Sequence, residues 1–146
     1  MTWAGTNIRQ KAVTLAGWGS HDVQCREYTT VMQQGDVDIK SEAVCNEYIG
    51  QRWYDHDTQV CAGRELPNGE WTEAGCGDSG GPVMVREDGT GQWVEVGIVA
   101  WGYGDSPNVY TRVSAYRGGI DSIIGGGGGD SGDSSGDGGS EGGGGR

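Results

Sequence analysis

The chain has 146 residues, 31 of them glycine, and a formal net charge of −11 from 10 Lys and Arg against 21 Asp and Glu. Residues 125–146 take up 13 of the glycines and contain no apolar side chain, which leaves 124 residues, enough for one globular unit and too few for two. The acidic balance argues against a nucleic-acid backbone as partner, which needs clustered Lys and Arg, and no apolar run approaches the ~18–20 residues of a membrane span.

In chain order, residues 1–10 are expected to be poorly ordered. Residues 11–18 (KAVTLAGW) read as a strand, with Val13 and Leu15 two apart on one face. Gly17 and Gly19 around Trp18 mark a turn, and 20–28 form a polar loop. Residues 29–39 place Val31, Val37 and Ile39 on a second strand, with a bulge expected at Gly35. Ser41 caps a short helix over 42–48, whose first turn carries Glu42. A strand over 58–62 precedes a Gly-rich loop over 63–78. The runs GPVMVRE and QWVEVGIVAW flank Asp88-Gly89-Thr90-Gly91 and predict a hairpin. A strand over 108–113 follows, and then a helix from a Ser114 cap to about residue 123, weakened by Gly118-Gly119. Residues 125–146 read as a flexible, acidic tail outside the fold. Short strands with turn chemistry between them predict an all-β barrel or sandwich.

The chemistry concentrates in residues 75–82, Gly-Cys-Gly-Asp-Ser-Gly-Gly-Pro. A serine enclosed by glycines has an accessible hydroxyl and a backbone free to turn tightly. The amides of Gly77 and Ser79 can point into one concavity and bind a developing oxyanion. A nucleophile beside preorganised donors is what acyl transfer requires.

Six segments in order make the chain resemble the trypsin/chymotrypsin family of serine proteases. They are AGWGS at 16–20, VCN at 44–46, CAG at 61–63, GDSGGPV at 77–83, VGIVAWGYG at 96–104 and PNVYTRVSAY at 107–116. The resemblance covers about residues 11–124 and implies a single six-stranded antiparallel Greek-key barrel, the second of the family's two. It also implies roles. Ser79 matches the nucleophile, and the Gly77 and Ser79 amides match the oxyanion hole. Ala100-Trp101-Gly102 resembles the strand that binds the substrate backbone, with Trp101 as a wall of the P1 side-chain pocket. Asp78 resembles the buried carboxylate that pairs with the amino terminus released on activation. Glu73, six residues before Ser79, stands where trypsin-like members carry the acid that selects Arg or Lys at P1. Asn108 stands beside that pocket where many members have Gly, and would narrow it. The family is typically secreted. The resemblance implies a protein or peptide substrate, no nucleic-acid or membrane partner, and no metal or other cofactor.

The departures are equally specific. The family's triad His and Asp come from a first barrel, and neither of its motifs is present here. His21 and His56 match no catalytic position and read as surface loop residues. Residues 1–20 lack the pattern of a signal peptide. Cys45 and Cys61 match a family disulfide, whereas Cys25 and Cys76 do not. Four cysteines allow three connectivities, and a Cys25–Cys76 bridge is the hypothesis, because in the family that loop approaches the oxyanion strand. Gly119 stands where members usually have Trp, which is expected to loosen the last helix. The expected function is therefore that of a serine endopeptidase, present as a C-terminal fragment without its own base. The alternative is a non-catalytic, protease-derived binding module.

Overall fold

The computed structural model describes residues 12–22, 24–104 and 106–125. The N-terminal segment 1–10 and the tail beyond Gly125 lie outside the described residues. Among the described residues, seven strands and two helices form in the order β1 (Ala12–Gly17), β2 (Gln33–Ile39), α1 (Glu42–Ile49), β3 (Gln59–Glu65), β4 (Trp71–Thr72), β5 (Pro82–Arg86), β6 (Trp93–Trp101), β7 (Asn108–Arg112) and α2 (Val113–Gly125).

Pairing is antiparallel throughout. The strands run β2-β1-β5-β6-β7-β3, and a β2–β3 pairing closes them into a six-stranded barrel, with β4 added to β3 outside the ring. Closure follows from the alternation of side chains. Val13 and Leu15 of β1, Val37 and Ile39 of β2, Val60 and Ala62 of β3, Val83 and Val85 of β5, Val96 and Val99 of β6 and Tyr110 of β7 fill the interior. Small β-branched residues dominate, as the narrow lumen of a six-stranded barrel demands. Tyr110, with no exposed surface, is the largest fully buried side chain.

A second cluster lies outside the ring, where Cys45, Tyr54, Cys61 and Val109 pack together with Ile49 and Trp101 against them. The Cys45–Cys61 disulfide, Cα–Cα 6.0 Å, ties α1 to β3 there. Ser41 caps α1 as expected, its hydroxyl accepting from the Val44 amide at 3.4 Å. The functional consequence is that Trp101 is held from behind by a disulfide-anchored helix.

Four expectations need correction. First, β2 starts at Gln33, and Val31 is exposed outside it. The Thr29 hydroxyl donates to the Val31 carbonyl (2.7 Å) and accepts from the Val31 amide (3.1 Å), a local turn that keeps this segment from the ladder. Second, Gly35 is not a bulge, because it faces Leu15 in unbroken register. The irregularities fall between Val83 and Met84 and between Val99 and Trp101. Third, the loop over 63–78 is partly strand. β3 continues to Glu65 and pairs with β4 through Arg64↔Thr72 and Glu65↔Trp71, around a turn with Gly69 at φ +85°. Fourth, Ser114 lies inside α2, which begins at Val113 and continues through both glycines. A β-carbon at Gly118 or Gly119 would meet nothing within 4 Å. The helix is held on its open face by an Arg117–Asp121 ion pair at 3.1 Å, and it buries no residue.

Candidate active site

The turn at 75–81 is built by its backbone. The Asp78 amide donates to the Gly75 carbonyl (3.1 Å) and the Gly81 amide to the Asp78 carbonyl (2.8 Å). The Gly80 amide then donates to the Val99 carbonyl and the Val99 amide to the Gly81 carbonyl, each at 2.9 Å, which rivets the turn to β6. Gly77 takes φ +90°, a conformation that L side chains rarely adopt, so the motif's glycine is needed where it stands. Ser79 is exposed at the tip. Among the described residues, no group accepts a hydrogen bond from the Gly77 or Ser79 amide, and none bonds the Ser79 hydroxyl.

Asp78 turns the other way. Its carboxylate accepts from the Gly19 amide at 2.8 Å and from the Gly75 amide at 3.0 Å. A β-carbon at Gly17 or Gly19 would collide with that carboxylate, which explains the glycines on both sides of Trp18. A small cavity of about 180 Å³ lies here, lined by Gly17, Gly19, Gly75 and Asp78.

A larger cavity, about 530 Å³, opens beside Ser79. It gathers side chains and backbone from three distant stretches: Glu73, Ala74, Gly75 and Cys76; Ala100, Trp101 and Gly102; and Asn108. The sequence-derived candidates Ser79, Glu73, Ala100, Trp101 and Gly102 thus line one concavity, while Asp78 lies behind it. His21 also lines this cavity, with Nε2 3.8 Å from Glu27 Oε2 and both side chains largely exposed. His56 belongs elsewhere. Its Nδ1 bonds the Tyr54 hydroxyl at 2.9 Å, in a polar recess with Asp55 and Asp57.

The second disulfide joins Cys25 to Cys76, Cα–Cα 5.6 Å, and so links the 20–28 loop to the residue before Gly77. That loop is also held by the Ser20 amide on the Cys76 carbonyl (2.7 Å), and the Tyr28 ring lies against Gly77. The Cys25–Cys76 bridge is the one hypothesised from the sequence; the Ser20 and Tyr28 contacts, like the Asp78 acceptor pair, carry no local sequence signal.

Burial pushes the Tyr110 phenol well above its ordinary value of 10.0, and the nearby Glu73 and Asp78 carboxylates add to the rise. The native chain therefore holds this proton to higher pH than the unfolded chain does. Stability is whole below pH ~10 and falls as pH rises beyond it, by at most ~1.4 kcal/mol per pH unit for this group. Denaturant melts of Tyr110→Phe between pH 9 and 12 should show a shallower alkaline decline than wild type.

The trypsin family's sequence profile matches residues 4–120. The chain belongs to the trypsin family. It is 37% identical over 107 residues to a trypsin-like protease of Streptomyces glaucescens, covering 70% of this chain and 38% of that protein. It is 34% identical over 118 residues to transmembrane protease serine 7 of Mus musculus, covering 77% of this chain and 14% of that protein. The rat protein of the same name is 35% identical over 106 residues, 70% of this chain and 12% of its own length. The chain thus spans well under half the length of these relatives. Among the described residues, no helix is long and apolar enough to cross a membrane.

Proposed function

We propose that this chain is the nucleophile-bearing C-terminal barrel of a secreted serine endopeptidase, one globular unit over residues 11–124. Ser79 attacks the peptide carbonyl, and the Gly77 and Ser79 amides receive the oxyanion. Ala100–Gly102 aligns the substrate backbone, Glu73 draws a basic P1 side chain, and water releases the acyl group. Asp78 is the activation-pocket carboxylate. The observation that carries this reading is the cavity that Ser79 shares with Glu73 and Ala100–Gly102, together with the Gly77 and Ser79 amides, for which no described residue is an acceptor. Two disulfides fit an oxidising compartment.

The base and its orienting acid come, in this reading, from a first barrel packed against this one. Ile98 of β6 and Ile120, Ile123 and Ile124 of α2 are exposed and supply an apolar surface for it. The isolated chain is then nearly inactive, since loss of the base alone costs several orders of magnitude in rate.

The test is active-site labelling with a fluorophosphonate. The chain alone should label negligibly. The chain joined behind the first barrel of a trypsin-family member should label at Ser79, and Ser79→Ala should abolish the signal. A folded fusion that never labels would overturn the enzyme reading and favour the alternative, a non-catalytic binding module. That alternative draws on the absence, among the described residues, of any base bonded to Ser79.

A further inference from the structure

The two disulfides differ in what can reach them. Cys76 is exposed, lines the cavity of about 530 Å³ that holds Ser79, and is bridged to Cys25 in the half-exposed 20–28 loop. Cys45 and Cys61 are both fully buried. In thiol–disulfide exchange a thiolate must reach one sulfur while the other leaves, so access decides which bridge exchanges and at which end. Here the open end is Cys76, on the cavity side.

Two further observations favour exchange at this bridge. Cys25 has φ +57° and is the one non-glycine residue at positive φ among the described residues. Its backbone is held against its preference, and opening the bridge lets it relax. The loop also lies outside the core, whose residues come from the strands of the ring. Opening therefore leaves the barrel intact.

The lining decides which thiol enters. Asp22 and Glu73 contribute carboxylates, His21 stands against Glu27, and among the described residues no Lys or Arg lines the cavity. That field draws in a cationic thiol and repels an anionic one.

We propose that Cys76 is an exchange site for small cationic thiols, and that the adduct reversibly closes the Ser79 cavity. The incoming thiolate attacks Cys76 Sγ. Its sulfur bonds to Cys76 as the Cys25–Cys76 bond breaks, and Cys25 leaves as a thiolate that takes a proton from water. One disulfide replaces another, with no net oxidation. Once free thiol is removed, the Cys25 thiolate attacks the adduct, expels the small thiol and restores the bridge. The exchange needs no catalysis, whereas its effect on Ser79 rests on the proposed function.

The test exposes the full chain to 2-aminoethanethiol or 2-mercaptoethanesulfonate at equal thiolate concentration. Acid quenching, alkylation and peptide mass spectrometry then map the early products. The aminoethyl adduct should sit on Cys76, with Cys25 alkylated and Cys45–Cys61 intact. The cationic thiol should react about 10-fold faster than the anionic one, a ratio that salt and Glu73→Gln both reduce. An adduct chiefly on Cys25, equal opening of the two bridges, or equal rates for the two thiols overturns the proposal. In the two-barrel fusion, fluorophosphonate labelling should fall in proportion to the adduct and recover when free thiol is removed. Full labelling of a fully modified fusion overturns the closure. A fusion that never labels, even untreated, defeats the enzyme reading instead, and mapping on the full chain still decides the exchange site.

Discussion

Replacing Asp78 by alanine should destabilise the chain by about 2–3 kcal/mol, and should slow phosphonylation of Ser79 in the two-barrel fusion by roughly 100-fold. The carboxylate is the acceptor for two backbone amides, Gly19 from the loop after β1 and Gly75 at the start of the nucleophile turn. Removing it leaves both donors facing a cavity, and it frees the turn whose amides would receive the oxyanion. Asp78→Asn is the more telling variant. Its carbonyl can take one of the two amides, but its NH2 must then confront the other donor. Asparagine should therefore rescue little, despite its near-identical shape. Urea melts of the full chain give the stability, and labelling rates in the fusion give the second effect. A variant that melts like wild type would show that the two amides find water instead, and that Asp78 does not hold the turn.

The sequence made the barrel readable where alternation and turn chemistry coincide. Val13 and Leu15, the Asp88–Gly91 turn and the Val96–Val99 run predict β1, β5 and β6, and Val13, Leu15, Val96 and Val99 do point inward. It failed where a local competitor or a distant partner decides. The Thr29 hydroxyl turns the chain before β2, so Val31 never joins the apolar face. β4 has two residues and exists because β3 lies beside it, a fact of tertiary pairing. Gly118-Gly119 lie within α2 without interrupting it, and the Arg117–Asp121 pair spans them.

The candidate site divides in the same way. Ser79, Gly77 and Glu73 sit within seven residues and were legible through a compact motif. The partners of Asp78 were not, since Gly19 is 59 positions away and Gly repeats are common in loops. Asn108 was visible as a substitution beside the pocket, but the direction of its amide depends on the Ala74 carbonyl, 34 positions distant. Counting the cysteines allows three pairings; the family resemblance pointed to Cys45–Cys61 and to a Cys25–Cys76 bridge, and the structure holds both, the second by bringing the 20–28 loop over Cys76.

That loop carries the last prediction. Cys25 and Cys76 are 51 positions apart, so their bridge closes a long segment of the unfolded chain and should contribute about 4 kcal/mol, against about 3 for the 16-position Cys45–Cys61 bridge. A domain of this size holds only ~5–15 kcal/mol in all, so Cys25→Ser with Cys76→Ser should leave it marginal. The effect should also reach Ser79. Without the bridge, the loop keeps its own turn, since the Asp22 carboxylate and carbonyl still bind the Gln24 and Cys25 amides. Its tether to the residue before Gly77 is reduced to the Ser20–Cys76 backbone bond and the Tyr28 ring. Labelling in the fusion should therefore slow more than the loss of stability alone explains, at a temperature where the variant remains folded. Access separates the two bridges as well, because Cys76 is exposed while Cys45 and Cys61 are fully buried. Under a mild dithiol reductant, alkylation followed by mass spectrometry should mark Cys25 and Cys76 first, with Cys45 and Cys61 protected until the barrel unfolds. Simultaneous opening of both bridges would mean that the loop is not independently mobile and that its hold on Gly77 comes from the barrel, not from the disulfide.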